Sequence, residues 1–114
     1  MLKTKILHLL NSGLTDFDAY KRAIISKDRV ELARLAEHSE PFVRARAAAN
    51  TAISSITMEA LCRDEYQGVL ANLVGNRAAR PDIIYRISRR VQGMEEVLPF
   101  LSDMLETRKP RVVI

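Results

Sequence analysis

The chain has 114 residues, which predicts one domain, and its 47% hydrophobic and 28% charged residues exclude a disordered protein. Three Tyr, three Phe and no Trp leave the core to Leu, Ile, Val and Ala, and the single cysteine, Cys62, excludes an internal disulfide and suits a reducing, cytoplasmic compartment. Net charge is +4, and residues 77–93 carry all of it, with Arg77, Arg80, Arg86, Arg89 and Arg90 against a single Asp82.

The opening MLKTKILHLL is interrupted by His8 and followed by a polar NSG, so it lacks the long apolar stretch and cleavage site of a secretory signal. No segment approaches the roughly 20 apolar residues of a membrane span. Helical signals run throughout, and apolar alternations are too short for strands. A first helix is predicted over about 2–11, stopped by Ser12-Gly13. Thr15-Asp16-Phe17-Asp18 reads as an N-cap with an acid at the third helical position, after which Phe17, Tyr20, Ala23 and Ile24 share a face. Asp28-Arg29-Val30-Glu31 repeats that logic, with the Glu31 carboxylate reaching back to the cap. Pro41 opens a short helix over about 41–49, Ser54, Ser55 and Thr57 offer caps for the next, and another covers about 67–75. Pro81 starts a helix with Ile83, Ile84, Ile87 and Val91 inward, ending at Gly93. A last helix covers about 95–107, with Pro99 inside its first turn or at its true start, and RKPRVVI, 108–114, is a tail.

Spacing then organises these helices. Leu35, Leu61 and Ile87 recur 26 apart, as do Leu32, Met58 and Ile84, Val43 and Val69, and Asn50 and Asn76. The stretch "LARLAEHSEPFVRARAAAN" thus lies over "MEALCRDEYQGVLANLVGN", and "IYRISRRVQG" begins a third copy. A fixed period of this length means one helical hairpin per unit, stacked on its neighbours. Alanines in 41–49 allow close backbone approach, which suits a helix wedged between layers. Asn50 and Asn76 tolerate a left-handed backbone and are expected to cap their helices that way.

In that stretch Leu32-Ala33, Leu35-Ala36, Val43-Arg44, Ala47-Ala48 and Asn50 follow one another in order. Over about residues 30–92 the chain resembles HEAT-like helical repeat proteins and, more narrowly, the leucine-rich repeat variant family. The second unit departs from the pattern at Val69-Leu70 and Gly75. The resemblance implies a binding scaffold and no chemistry of its own. The expected fold is all-α: a short right-handed stack of about six or seven helices in one domain, 1–107. Within it 1–27 covers the N-terminal end, 28–93 holds the repeats, and 94–107 covers the other end. An incompletely covered end would favour self-association into a homo-oligomer.

Candidate site residues are arginines. Arg86, Arg89 and Arg90, three and four apart, share a helix face opposite the isoleucines, and Arg77 and Arg80 precede them on the loop. Together they form either an anion-binding surface, with nucleic-acid phosphate as the obvious ligand, or a solvated face paired with Glu59, Asp64 or Glu65. Arg44 is expected to pair with Glu37 or Glu40, and Arg46 to be exposed. His8, His38 and Cys62 follow no ligand spacing, and no phosphate loop, nucleophile elbow or zinc motif is visible. No cofactor, metal or catalytic residue is therefore expected. The leading expectation is a protein-interaction adaptor or regulator, a small inhibitor of one target included. The alternative is nucleic-acid binding through residues 77–90.

Overall fold

Side-chain caps and prolines set the helix boundaries in the computed structural model, which describes residues 15–96 and 98–108. The predicted helix at 2–11 lies outside them, as does the tail beyond Arg108. The described residues form seven helices and no strand: α1 (Asp16–Ile25), α2 (Arg29–Leu35), α3 (Pro41–Ala49), α4 (Ser55–Leu61), α5 (Gln67–Gly75), α6 (Pro81–Arg90) and α7 (Pro99–Arg108). None is long and apolar enough to cross a membrane.

Thr15 opens α1 through a capping box, its hydroxyl accepting from the Asp18 N–H at 3.1 Å while the Asp18 carboxylate accepts from the Thr15 N–H. Ser54 caps α4 by accepting from the Thr57 N–H. Asp28 caps α2 as expected, accepting from the Val30 N–H at 2.9 Å, but Glu31 does not reach back. The Ser26 hydroxyl already accepts from the Asp28 N–H, and Glu31 instead pairs with Arg22 of α1, Nη2 to Oε1 at 2.6 Å. Pro41, Pro81 and Pro99 each occupy the first residue of a helix, where a missing N–H costs nothing. Pro99 is thus the true start of α7, because the residue before a proline is pushed out of the helical region. Gly93, at φ +83°, ends the turn after α6 in a left-handed conformation that only glycine adopts easily.

The helices stack in two rows. α1, α3, α5 and α7 pack successively against one another as an inner row, the closest association being α3 on α5. α2, α4 and α6 form an outer row and pack mainly on the inner helices. Equivalent positions have equivalent burial: Leu35, Leu61 and Ile87, then Leu32, Met58 and Ile84, then Val43 and Val69 all lie in one hydrophobic core. Each such side chain, fully withdrawn from water, contributes about 1.5–3 kcal/mol before entropy is counted. α3 sits between α1 and α5 with Ala45, Ala47 and Ala48 buried. Because alanine keeps the backbones close, the Asn72 amide on α5 reaches the Ala45 carbonyl in mid-helix, at 2.7 Å.

Asn50 and Asn76 do not cap their helices in the left-handed region. Both have extended backbones, φ −78° with ψ 124° and 118°, and no non-glycine described residue has positive φ. Their side chains work across layers instead. Asn50 Nδ2 donates to the carbonyls of Ala23 and Ser26 at the end of α1, at 2.9 and 2.8 Å. Asn76 Nδ2 donates to those of Ala48 and Asn50 at the end of α3, at 2.8 and 3.0 Å. Each amide oxygen then accepts from the N–H two residues on, at Ala52 and Ala78. In the last layer Arg108 takes over: Nη1 donates to the Val74 and Asn76 carbonyls, and Nη2 to Ala79. Arg108 therefore belongs to α7 and not to a tail.

Arg44 also works between layers. Its partner is Asp64, 2.7 Å from Nε to Oδ2, and neither Glu37 nor Glu40. Nη1 meanwhile donates to the His38 and Ser39 carbonyls, so one guanidinium holds the turns after α2 and α4 together. Burial pushes the Asp64 carboxyl up, but hydrogen bonds from Arg44 and the Tyr66 N–H outweigh it and hold the pKa below the ordinary carboxylate range. A carboxyl depressed in the folded state stabilises above its unfolded pKa, about 3.9, and loses that contribution as pH falls through the lower folded value. Urea denaturation across this range should therefore show wild type and Asp64→Asn far apart at pH 6 and converging below about pH 4. A pH-independent gap would contradict the assignment.

Candidate interaction surfaces

The inner helices run parallel, since the C-terminal end of each is held by a side chain from the C-terminal end of the next. Their first turns therefore share one edge of the stack. Phe17, Phe42 and Phe100 are the second residues of α1, α3 and α7, and all are exposed, Phe17 and Phe100 by 65% and 71%. The second residue of α5 is Gly68, where the ring of exposed Tyr66 lies across the helix; a Cβ on Gly68 would stand 2.5 Å from Tyr66 Cε2. Four successive inner helices thus each present one aromatic ring. Tyr20 adds a half-buried ring 5.9 Å from Phe42. Arg46 donates from Nε to the Tyr20 hydroxyl and lies 5.4 Å from its ring centroid, while Lys21 sits 4.8 Å over Phe17. Such contacts hold the cations against rings.

The set Phe17, Tyr20, Ala23 and Ile24 divides accordingly. Ala19 and Ala23 are buried against α3, and Phe17 and Ile24 are left outside. Close helix approach selects the small side chain for the contact, which inverts the usual expectation that the largest apolar residues face inward.

The outer row presents arginines. Arg86 and Arg89 of α6 are exposed, and the buried Ile83, Ile84 and Ile87 occupy the opposite face, as the spacing implied. Neither guanidinium makes a hydrogen bond or ion pair with any described residue, and the same holds for that of exposed Arg77 in the loop before α6. Arg80 pairs with Asp82 at 3.2 Å. Arg90 is exposed but engaged, donating from Nη1 to the Cys62 and Asp64 carbonyls at 2.6 and 2.7 Å and so pinning α6 to the end of α4. Arg46 lies on the inner row, apart from the others. The six arginines of the sequence reading therefore occupy more than one surface. Two that it did not single out, Arg34 and Arg63, stand exposed on the outer side of the two preceding layers, their guanidiniums also without a hydrogen bond or ion pair among the described residues. Their signal was in the period: Arg34, Ala60 and Arg86 lie at one repeat position, and Glu37, Arg63 and Arg89 at another.

Cys62 is buried in the core, where burial raises its thiol pKa, so it is held as an uncharged thiol at neutral pH. His38 is also buried; its Nδ1 accepts from the Glu40 N–H, leaving Nε2 as the donor 3.8 Å from Asp16 Oδ1. An open concavity of about 400 Å³ lies between α6 and α7, lined by Tyr85, Arg89, Met94, Leu98 and Leu105 among others. Comparison with protein-family models, curated proteins and solved structures finds no match to this chain.

Proposed function

We propose that this chain is a non-enzymatic binding module for other proteins, an adaptor or regulator built on a HEAT-like stack of the leucine-rich repeat variant kind and working in the cytoplasm. The observation that carries the reading is the aromatic edge of the inner row, Phe17, Phe42, Tyr66 and Phe100 at the N-terminal ends of four successive inner helices. Aromatic rings offer large, stiff contact area and dominate the energetic centres of protein interfaces. A run of exposed rings on a helical stack matches a partner longer than a metabolite, because it is a ridge and not an enclosed cleft. Nucleic-acid binding through residues 77–90 has less support, since Arg80 and Arg90 are engaged within the chain.

Substituting Phe17→Ser and Phe100→Ser together tests it. Both rings are mostly in solvent, so the thermal melt should stay within a few degrees of wild type. Partners that co-purify with the tagged wild-type chain from its source cells should bind the double variant at least tenfold more weakly, the scale of losing two aromatic anchors. Equal recovery on both chains, or no protein specifically retained by wild type, would refute the reading.

A further inference from the structure

We infer that the outer row carries a second docking surface, for an acidic amphipathic helix of a partner protein. It is separate from the aromatic edge of the inner row and goes beyond the reading based on that edge. Two cross-layer contacts align it. Arg44 joins the His38–Ser39 turn to Asp64, and Arg90 binds the carbonyls of Cys62 and Asp64. The C-terminal ends of α2, α4 and α6 are thereby held side by side, and Arg34, Arg63, Arg86 and Arg89 come to one edge of three adjacent layers.

All four guanidiniums are exposed and make no hydrogen bond or ion pair among the described residues. Glu37 is the one exposed acid at the same repeat positions, and Glu59 is half-buried nearby, so the edge keeps a positive surplus. Toward the N-terminal ends of these helices the surface turns apolar: Val30 and Ile56 stand at one repeat position, Ile56 81% exposed, with Tyr85 exposed one turn further along on α6. A guanidinium zone thus runs beside an apolar zone. Helices stack roughly 8–10 Å apart, so three layers place the outermost arginines about 20 Å apart, the length of a partner helix of about 13 residues. Carboxylates on one side of that helix meet the guanidiniums through forked, charge-assisted hydrogen bonds, and its apolar residues cover Val30 and Ile56. Duplex phosphates fit less well, because they gain nothing from the apolar zone at Val30 and Ile56.

Fluorescence anisotropy on the full chain decides it, with two labelled probes, a helical peptide of about 16 residues made of Glu, Leu and Ala, and a duplex DNA of equal length, at about 50 and 150 mM NaCl. The peptide should bind, Arg86→Glu with Arg89→Glu should weaken it by at least about tenfold, and Ile56→Ser by about threefold or more. The Phe17→Ser, Phe100→Ser chain should bind it as wild type does, so failure here is distinguishable from failure at the aromatic edge. The inference is overturned if the peptide does not bind, if binding survives the arginine reversal or ignores Ile56, or if the duplex binds more tightly with the same arginine dependence.

Discussion

Asn76→Ala is expected to lower the unfolding free energy by about 2–4 kcal/mol, and Asn76→Asp to lower it more. Asn76 is 3% exposed, and its amide makes three hydrogen bonds: it donates to the Ala48 and Asn50 carbonyls and accepts from the Ala78 N–H. Alanine keeps the helix end but leaves the buried Ala48 carbonyl unpaired, at about 1–3 kcal/mol, and takes one partner each from the half-buried Asn50 carbonyl, which keeps the Ile53 N–H, and the exposed Ala78 N–H, at a smaller cost. Aspartate is the sharper substitution, because it keeps the size and the acceptor while turning a donor into an oxygen aimed at two carbonyl oxygens. Its carboxyl would be pushed up by burial and by those dipoles, so its penalty is largest at neutral pH and shrinks as pH falls and the group takes a proton. Urea denaturation gives the ranking directly, and a melt should place Asn76→Ala on the order of 10 °C below wild type. Equal stability of the Asn, Ala and Asp chains would remove the cross-layer role assigned to this residue.

Arg108→Ala is expected to cost about 2–3 kcal/mol and to act on one end of the molecule. Its guanidinium closes the last turn of α5 from α7, with donors 2.6 Å from Val74 O, 3.0 Å from Asn76 O and 2.8 Å from Ala79 O. Three carbonyls would lose a charged donor, and α7 would lose its tie to the layer beneath. Hydrogen exchange should then quicken first in α7, ahead of α3 in the middle of the stack. Lysine restores only part of the effect, because a single ammonium cannot match the planar fork that reaches three carbonyls on two segments. Unchanged α7 protection in Arg108→Ala would show that the apolar contacts of Leu101 and Leu105 hold this helix without it.

The period and the caps were legible in the residues themselves. Thr15, Asp28 and Ser54 announce helix starts by local chemistry, Pro41 and Pro81 by fixed geometry, and Leu35, Leu61 and Ile87 by recurrence. What escaped is whatever depends on how neighbouring layers align along their axes. Arg44 has two acids within a few residues yet pairs with Asp64, twenty positions away. Asn50 and Asn76 belong to a residue type that often ends helices in a left-handed turn, and nothing local says that their amides face the previous layer. The aromatic edge was hidden for a related reason. The buried stripe of α1 runs through Ala19 and Ala23 and not through Phe17 and Ile24, and only the closeness of α1 to α3 decides that the small side chains go in and the large ones stay out.

The pins at the helix ends have a genetic corollary. Asn50 grips the layer before it and offers its own carbonyl to Asn76, which offers its carbonyl in turn to Arg108. Asn50 and Asn76 thus give and receive in the same way, one at the end of α1 and the other at the end of α3. A unit duplicated between Asn50 and Asn76 would keep these end contacts, but the Arg44–Asp64 pair would have no counterpart, because Leu70 and Arg90 stand 26 residues on from it. Lengthening the stack therefore conserves the end contacts and leaves only the lateral pairing to be rebuilt.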